Sequence, residues 1–488
     1  MKGFVVISNC QFITFNPIVD IFMDYQSVSE EHIKQFESIC GSANVLVDGK
    51  QLEDYSHDHT EDYRFLPEVV VLPTSAEQVS QILFYCNKNR IPITPRGAGT
   101  GLSGGALAIH RGICLSAERM NKIIEIDERN LQATLQPGVI NEVLQNAVKE
   151  KGLFYPPDPA SKGSCFIGGN VAENSGGPKA VKYGVTSAYI LNLQVVLPTG
   201  DIIWTGANTL KNSTGYNLTQ LMIGSEGTLG IVTEIVVKLI PFPTKNMLLW
   251  VPFPSAEDAC RAVSEVFKAG IIPSALEFME RDAVLLSIKH LGRTMELSES
   301  VQGILMVEVD GNDEDQLMKD LERISEVLYK HECGEIMLAD TSDQKESFWK
   351  IRRSIGEAVK ASSVYKEEDT VVPRAELPKL LKGVKEIGQR YGFNSICYGH
   401  VGDGNLHVNI LKGNMSDEDW NSKIKVGIRE IFTLCHQLMG TISGEHGIGY
   451  VQKEFMDIVF SPVHINLMKS IKSVFDPNNI LNPGKIFP

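Results

Sequence analysis

The spacing of apolar residues changes along this chain, and each change predicts a strand or a helix. Residues 69–72 are a β-branched run that ends at Pro73, which is typical of a short strand. Ser75 and Gln78 form a capping-box pattern and so predict that a helix begins there. Apolar residues on one face of that helix recur at three- and four-residue spacing, and residues 91–94 follow as a second strand. We therefore expect a β–α–β unit that leads into a glycine-rich loop.

The rest of the chain divides at Pro241-Phe242-Pro243. Before it, short β-rich runs occur at residues 112–115, 132–135, 193–197 and 230–233. After it, predicted helices at 256–268, 315–330 and 376–391 alternate with predicted strands at 248–253, 303–309 and 395–398. This alternation predicts an α+β lobe. The expected domains are an N-terminal extension and helix (1–44), a ligand-binding domain (45–243), a second lobe (244–430) and a C-terminal segment (431–488).

Composition narrows the class of protein. The chain has 488 residues and a formal charge of -14, which argues against a nucleic-acid-binding surface. Nine cysteines are scattered without Cys-x-x-Cys pairs, which excludes an ordinary iron–sulfur motif and favours a reducing cytoplasm. No apolar run is long enough to cross a membrane. Residues 1–22 resemble a signal peptide only weakly, Met23 is an equally good start, and we predict that residues 1–22 are dispensable.

Three glycine-rich segments predict an anion-binding site. Residues 95–106 contain five glycines, so successive backbone N–H groups can surround a diphosphate. The segment fits neither a P-loop nor a dinucleotide-binding fingerprint. One such loop could equally be a flexible turn, but residues 163–178 and 223–233 repeat the pattern. Three loops separated by strands can converge on one extended, anionic ligand.

Two later motifs concentrate metal-binding side chains. Residues 399–407 read Gly-His-Val-Gly-Asp-Gly-Asn-Leu-His, and residues 444–447 read Gly-Glu-His-Gly. His400 and His407 flank a Gly-Asp-Gly turn, so two short strands could direct both rings to one point. Imidazole and carboxylate together suit Zn²⁺ or a neighbouring divalent ion. One histidine remains for proton transfer, which predicts a metal-assisted active site.

Near its end the chain carries a further motif, Asn482-Pro483-Gly484-Lys485. Taken together and in this order, the motifs resemble those of the FAD-linked D-2-hydroxyacid dehydrogenases. These enzymes belong to the vanillyl-alcohol oxidase / p-cresol methylhydroxylase superfamily. That family includes D-lactate dehydrogenase, the glycolate oxidase flavin subunit and D-2-hydroxyglutarate dehydrogenase. The resemblance covers residues 45–488. It implies an α+β fold in which a two-subdomain FAD-binding lobe of the p-cresol methylhydroxylase type carries a substrate-binding cap. The C-terminal segment would return to the flavin.

The resemblance also implies which residues hold FAD. The segment from Arg96 to Gly105 would surround the diphosphate, the backbone of Val232 would lie near the adenine, and Asn482 would return to the flavin ring. No histidine occurs from residue 95 to 106, where Thr100 stands, so FAD is expected to be non-covalent. The cofactor-binding residues expected in full are Pro95, Arg96, Gly97, Ala98, Gly99, Thr100, Gly101, Ser103, Gly104, Gly168, Gly169, Asn174, Gly176, Gly177, Gly184, Glu226, Gly227, Val232 and Asn482.

For the reaction, the resemblance implies that His400, His407 and Glu445 bind a divalent metal. Zinc is favoured, with manganese and iron open. His446 would be the base that accepts the hydroxyl proton.

The expected substrate contacts are Arg352 and Asn409. Arg352 follows Trp349 in the family's Trp-x-x-Arg setting, and its guanidinium suits a carboxylate. Arg353 would be a surface residue. Lys366 is a candidate for a second carboxylate, but the spacing to Asp369 is one residue longer than in the family, and Glu367 and Glu368 indicate an exposed charged loop.

The predicted function is oxidation of a small D-2-hydroxy acid to the 2-oxo acid by hydride transfer to flavin N5. D-Lactate and glycolate are favoured, and D-2-hydroxyglutarate is the alternative. A non-redox FAD transferase and an electron-transfer subunit are alternatives of another class. Electrons would pass to an electron-transfer flavoprotein, a quinone or an iron–sulfur subunit. A cytoplasmic location follows, with peripheral membrane contact through the acceptor and a homodimer left open.

Overall fold

Three large sheets organise the computed structural model, which describes residues 24–60 and 63–488. The predictions about residues 1–22 and Met23 lie outside the described residues. The fold has the mixed helix and sheet content that the sequence predicts. In the described part of the chain eight cysteines are free, and all except the half-buried Cys333 are buried, as expected.

The first sheet contains the predicted β–α–β unit. Strands Val69–Val71 and Ile93–Arg96 both run parallel to the strand between them, Ile113–Ser116. Helix Ala76–Asn89 makes the crossover, and a short strand at Val45–Leu46 pairs with the outer edge.

The cap of this helix is only partly as predicted. The Ser75 side chain accepts from the N–H of Gln78 at 3.4 Å. The Gln78 side chain, however, accepts from the N–H of Thr74 at 2.8 Å rather than from that of Ser75. The predicted helix start at Ser75 is therefore confirmed, but the Gln78 side chain binds the N–H of the residue before the N-cap instead of completing a reciprocal capping box.

The second sheet is antiparallel and has five strands. Its spatial order is Ile123–Asp127, Gln132–Leu135, Ile231–Lys238, Ile190–Val196 and Ile202–Trp204. Helix Asn141–Lys149 packs Leu144 and Val148 against the apolar face of this sheet. A two-stranded pair, Leu153–Phe154 with Ile240–Pro241, lies beside it. The first glycine-rich loop lies between two strands of the first sheet, and the other two precede the strands Ile190–Val196 and Ile231–Lys238 of the second.

The third sheet has seven antiparallel strands. Their order is Met337–Ala339, Lys245–Phe253, Gly303–Gly311, Ala275–Glu280, Asn394–Gly399, Asn405–Leu411 and Tyr365–Val371. One face packs on helices to form the largest core, and the other face supports a second core around Trp250, Met306 and Tyr398. Polar residues interrupt the second face where it meets the first two sheets.

Besides Ala76–Asn89 and Asn141–Lys149, the described residues form five helices in the N-terminal half and nine in the third sheet's lobe and the C-terminal segment. The N-terminal set is Glu30–Cys40, Gly49–Glu53, Ile167–Glu173, Ala180–Tyr183 and Leu218–Met222, with 3₁₀ turns at Ser42–Asn44 and Thr186–Ala188. The later set is Ala256–Lys268, Arg281–His290, Glu314–Tyr329, Ser342–Arg353, Ile355–Ser362, Leu377–Tyr391, Asp417–Gln437, Met456–Val459 and Pro462–Phe475, with 3₁₀ turns at Arg374–Glu376 and Lys453–Phe455. None of the described helices is long and apolar enough to cross a membrane.

The C-terminal segment returns to the first sheet. Leu481 forms a parallel bridge with Ile93 at the sheet edge. The buried Lys472 fixes this return: its Nζ donates to the carbonyls of Thr228 at 2.9 Å and Leu481 at 2.8 Å and pairs with Asp476 at 2.5 Å. Asn482 therefore arrives beside the glycine-rich loops.

Candidate active site

A cavity lies where the three glycine-rich loops meet. Of the residues expected to hold the cofactor, it is lined by Pro95, Arg96, Gly97, Ala98, Gly99, Thr100, Gly101, Gly168, Gly169, Glu226, Gly227, Val232 and Asn482. Glu445 and His446 line the same cavity. The structure thus brings glycine-rich backbone and the second histidine motif to one ligand space.

The first loop has the features of an anion cradle. A Cβ on Gly101 would meet no atom within 4 Å, so the space over this backbone is open to a ligand. Gly99 has a φ of +73°, a conformation that favours glycine. The Arg96 guanidinium is buried; its Nη2 donates to the Asp54 carbonyl at 3.4 Å, and its Nη1 has no hydrogen-bond partner among the described residues. A buried cation beside open backbone fits the diphosphate of FAD.

Six of the expected cofactor residues do not line this cavity: Ser103, Gly104, Asn174, Gly176, Gly177 and Gly184. They shape the loops instead. The Ser103 carbonyl accepts from the N–H of Tyr450 at 2.8 Å, and Asn174 Oδ1 accepts from the N–H of Ser187 at 2.9 Å. Gly104, Gly177 and Gly184 have positive φ values. A Cβ on Gly176 would lie 2.8 Å from Glu445 Oε2, so this glycine makes room for the carboxylate.

The three expected metal ligands converge. His400 Nε2 and His407 Nε2 lie 3.3 Å and 3.4 Å from the same oxygen, Glu445 Oε1. Ligand atoms about 2.0–2.1 Å from a tetrahedrally coordinated ion lie roughly 3.3 Å apart. The two histidines are buried at the ends of the strands Asn394–Gly399 and Asn405–Leu411, on either side of the Gly-Asp-Gly turn. The donor set and its spacing therefore fit a divalent metal.

A carboxylate that the sequence reasoning missed orients this set. Glu277 is fully buried, and its two oxygens lie 2.8 Å and 2.9 Å from His400 Nδ1. A metal-binding histidine usually donates its other ring N–H to such a partner, which fixes the ring. Burial alone would raise the pKa of Glu277, but His400 and Arg352 outweigh burial and hold it below its usual value.

Asp369 was also missed, and it anchors the second motif. Its Oδ2 accepts from the backbone N–H groups of Gly444 at 2.7 Å, Glu445 at 2.7 Å and His446 at 2.9 Å. Burial would raise the pKa of Asp369, but His446 and His407 outweigh it and lower the pKa to about 2. The carboxylate thus holds the loop that carries Glu445 and His446 against the strand that carries His407.

His446 lies beside this set. Its ring stacks on His407 with centroids 5.2 Å apart. Burial alone would lower the pKa of His446, but Asp369, Glu367 and Glu445 outweigh it and raise the pKa. Glu367, His407 and His446 form a second group that could ligate a metal. We favour the first group because the Nε2 atoms of both its histidines lie close to the same carboxylate oxygen, Glu445 Oε1. In addition, Glu277 contacts the other ring nitrogen of His400.

Arg352 reaches the same region from the helix Ser342–Arg353. It is 6% exposed, its Nε donates to Glu277 Oε2 at 2.7 Å, and its guanidinium lies 4.9 Å from the centre of the Tyr398 ring. Glu277 therefore connects the expected carboxylate-binding arginine to the expected metal ligand His400. Arg353 is about one third exposed and lies over Trp349.

Asn409 and Lys366 occupy opposite faces of the sheet. Asn409 lies two residues after His407 on the same strand face, is fully buried, and interacts with the Tyr398 hydroxyl. Strand pairing sets Glu367 opposite Asn409, so alternation directs Lys366 to the other face. Its Nζ lies 5.8 Å from the centre of the Tyr63 ring.

The expectation of an exposed charged loop around Glu367 and Glu368 is wrong. Residues Tyr365–Val371 are a strand of the third sheet, and Glu368 is buried. Glu368 Oε2 accepts from the Gln452 side chain at 2.7 Å. Charged residues persist in this strand because they face polar partners rather than solvent.

A cavity with a diphosphate cradle at one end and a buried histidine–carboxylate centre at the other defines a flavin-dependent redox enzyme. Comparisons with known proteins agree. The family described as FAD linked oxidases, C-terminal domain, matches residues 242–486, and the FAD binding domain matches residues 67–206. This chain belongs to the FAD-linked oxidase family, and it is an FAD-linked oxidoreductase.

Two relatives and one solved structure illustrate the likeness. D-lactate dehydrogenase of Anaerostipes hadrus is 40% identical over 95% of this chain and 98% of its own length. Glycolate oxidase subunit GlcD of Bacillus subtilis is 40% identical over 89% of this chain and 92% of its own length. A crystal structure of p-cresol methylhydroxylase with substrate bound has a TM-score of 0.78 at 20% identity, covering 95% of this chain and 98% of that one. The last likeness concerns the fold alone.

Proposed function

We propose that this enzyme oxidises a small D-2-hydroxy acid, with D-lactate or glycolate favoured, to the 2-oxo acid. The observation that carries the proposal is the junction of Arg352, Glu277 and His400, next to the cavity that Glu445 and His446 line. A 2-hydroxy acid needs a cation for its carboxylate and a base for its hydroxyl proton, and here both groups lie beside the cavity lined by the glycine-rich loops. The names of the relatives support the same substrate class.

The residues divide the reaction between them. Arg352, fixed on one edge by Glu277, binds the substrate carboxylate, and Asn409 contributes its side-chain amide. His446 accepts the hydroxyl proton as the hydride leaves C2. Bound FAD supplies the two-electron acceptor for that hydride. A divalent metal held by His400, His407 and Glu445 would supply positive charge for the substrate oxygens, zinc being favoured.

The location of Lys366 favours a substrate with one carboxylate. D-2-Hydroxyglutarate needs a second cation, and strand alternation directs Lys366 away from the face that carries His407 and Asn409. We therefore keep D-2-hydroxyglutarate dehydrogenase as the alternative. The non-redox transferase is disfavoured because the chain lacks a run of successive histidines. The histidine–glutamate set disfavours a subunit that only relays electrons.

We also propose that FAD is non-covalent and that electrons leave to an external acceptor. His59 and Cys165 line the cavity outside the first glycine loop, so flavin fluorescence that remained with acid-precipitated protein would direct attention to these two residues. One relative is named as a subunit of glycolate oxidase, which supports transfer to a partner such as an iron–sulfur subunit. An electron-transfer flavoprotein and a quinone are the other acceptors to assay.

The test is anaerobic flavin absorbance after mixing with D-lactate, L-lactate, glycolate and D-2-hydroxyglutarate. We expect D-lactate or glycolate to bleach the flavin, and we expect chelation of the metal to abolish the bleaching. Bleaching by D-2-hydroxyglutarate alone would establish the alternative substrate. If all four acids left the flavin oxidised with metal present, the proposed reaction would be refuted.

A further inference from the structure

Buried charges join the flavin lobe to the cap at a distance from the histidines. Lys179 and Lys182 belong to the flavin-lobe segment that follows the second glycine loop. They meet two acidic residues of the cap strand Gly303–Gly311: Lys179 Nζ lies 2.5 Å from Glu308 Oε1, and Lys182 Nζ lies 2.5 Å from Asp310 Oδ1. Glu308 is 2% exposed and Asp310 is 7% exposed. Both pairs could serve only to attach one lobe to the other.

The two ion pairs differ in which other residues hydrogen-bond to the carboxylate. The second oxygen of Glu308 accepts from Trp349 Nε1 at 2.8 Å. Trp349 precedes Arg352 by three residues in the helix Ser342–Arg353, so the two side chains lie on neighbouring positions of one helix face. Asp310 instead accepts from Lys182 and, at 2.8 Å, from the hydroxyl of Tyr183, and its other oxygen lies 3.7 Å from Lys179 Nζ. All three partners belong to the flavin lobe, so Asp310 has no link to the helix of Arg352 comparable to that of Glu308.

The same flavin-lobe segment also touches the metal-binding motifs. A Cβ on Gly176 would lie 2.8 Å from Glu445 Oε2, and a Cβ on Gly402, in the turn between His400 and His407, would lie 2.6 Å from Val181 Cγ2. Residues 176–183 thus contact both halves of the reaction centre. Only Lys179 in this segment leads through a hydrogen-bonded side chain to the helix of Arg352.

We propose that Lys179 is a positioning residue for Arg352, acting through Glu308 and Trp349. Lys179 holds Glu308 in place, and Glu308 holds the Trp349 indole through a hydrogen bond. The indole in turn positions the helix Ser342–Arg353 so that Arg352 contacts the substrate carboxylate. Glu277 then fixes the guanidinium itself. The carboxylate site in the cap is therefore completed only when the cap is seated on the flavin lobe. This inference rests on the proposed function, because Arg352 is there the carboxylate anchor.

The test compares Lys179→Met with Lys182→Met, which removes a cation from the same segment without touching Trp349. Trp349→Phe removes the indole N–H together with part of the buried ring and leaves both ion pairs intact, so it tests the link even if Lys179→Met fails to fold. We expect Lys179→Met and Trp349→Phe to raise KM about tenfold, with kcat changed less, and Lys182→Met to change KM less than about twofold. In an Arg352→Lys background the first two effects should largely disappear, because they act through the arginine.

A second readout does not depend on activity. Hydrogen–deuterium exchange of the amides of residues 350–354 should rise in Lys179→Met and Trp349→Phe but not in Lys182→Met, while the affinity of the apoprotein for FAD stays unchanged. Equal KM changes in the two lysine variants, or unchanged exchange in Trp349→Phe, would overturn the inference. If the wild-type enzyme oxidised no 2-hydroxy acid, the proposed function would fail, whereas the exchange measurement would still decide whether Lys179 positions this helix.

Discussion

The diphosphate cradle and the histidine centre open onto one cavity but are built in opposite ways. The cradle is mostly backbone: Gly101 leaves space for a ligand, Gly99 lets the chain pass close to the Arg96 guanidinium, and Arg96 contributes the buried cation. The histidine centre is made of side chains, and each of its imidazoles lies within reach of a carboxylate. A cradle of this kind needs the right local sequence, whereas the centre needs remote strands in register. The two regions should therefore fail differently when mutated.

The largest loss should follow His446→Ala, which removes the proposed base. Turnover should fall by about 10²–10⁴-fold, the usual contribution of a general base, while FAD stays bound because the cradle is untouched. Flavin reduction under anaerobic conditions measures the loss, and the absorbance ratio of flavin to protein measures FAD content. His464, which is exposed on the last described helix, offers the control His464→Ala. Unchanged flavin reduction in His446→Ala would remove this residue as the base.

The next effect should come from Glu277→Gln, which disturbs two sites at once. His400 would lose the carboxylate behind its ring, so metal affinity should fall about 10–100-fold. Arg352 would lose its charged partner, so KM should rise as well. Metal content after dialysis and KM measure the two consequences.

Glu280→Gln is the matched control, because Glu280 lies in the same strand but pairs with Lys385 at 2.8 Å. We expect normal metal content in that variant. Metal content equally low in both variants, or unchanged in Glu277→Gln, would contradict a specific role for Glu277.

Prediction from the sequence succeeded where a function resides in one short segment. The β–α–β unit and the α+β character of the cap follow from spacing that any reader of the chain can see. The location of Glu277 does not, because it depends on the register between Ala275–Glu280 and Asn394–Gly399, which pairs Phe278 with Gly399. An acidic residue inside the apolar run of residues 275–280 was the available signal. Asp369 similarly gains its role from three backbone N–H groups that lie 75 to 77 positions later.

Substituting single glycines of the first loop should distinguish two roles: leaving space for a ligand and adopting a backbone conformation that favours glycine. Gly99 has a φ of +73°, and a Cβ there would overlap the Arg96 guanidinium. Gly99→Ala should therefore destabilise the apoprotein by about 1–3 kcal/mol and also weaken FAD binding. Gly101→Ala should leave apoprotein stability unchanged, because its Cβ would meet nothing within 4 Å, yet weaken FAD binding. Thermal unfolding without FAD and titration with FAD distinguish the two. Equal destabilisation of both apoproteins would contradict this separation.

At alkaline pH, a pH dependence of stability should arise beside the cradle, at Lys485. Lys485 Nζ donates to the carbonyls of Gly105 at 3.0 Å and Leu107 at 2.7 Å, and burial lowers its pKa from 10.5 to about 8 although Asp58 and Glu226 oppose this. Between about pH 8 and 10.5 the unfolded chain binds more protons at this lysine than the native protein does. Its contribution to the free energy of unfolding should therefore rise with pH across that window, by at most about 3 kcal/mol.

Lys485→Met isolates this effect. The difference in the free energy of unfolding between wild type and variant, measured by denaturant titration at several pH values, should grow in favour of wild type as pH rises. The lost hydrogen bonds add an offset that does not depend on pH in this window. A difference that stays constant from pH 8 to 10.5 would show that Lys485 keeps its ordinary pKa.

The smallest effect should follow Lys366→Ala. Its size depends on which face of the strand Tyr365–Val371 points toward the proposed metal ligands. Glu367 and Asp369 share the face of Asn409 and His407, and Lys366 lies between them, near Tyr63. A substrate with a single carboxylate is held by Arg352 and does not need Lys366, so KM for D-lactate should change less than about twofold. Losing the contact between Lys366 and Tyr63 should change the free energy of unfolding little, as for most half-exposed cation–π pairs.

If D-2-hydroxyglutarate were the substrate and Lys366 its second anchor, removing the charge would raise KM by tenfold or more. KM for both acids in wild type and Lys366→Ala therefore decides the substrate class, and a large loss with D-lactate would show that the lysine reaches the histidine face despite the alternation of the strand.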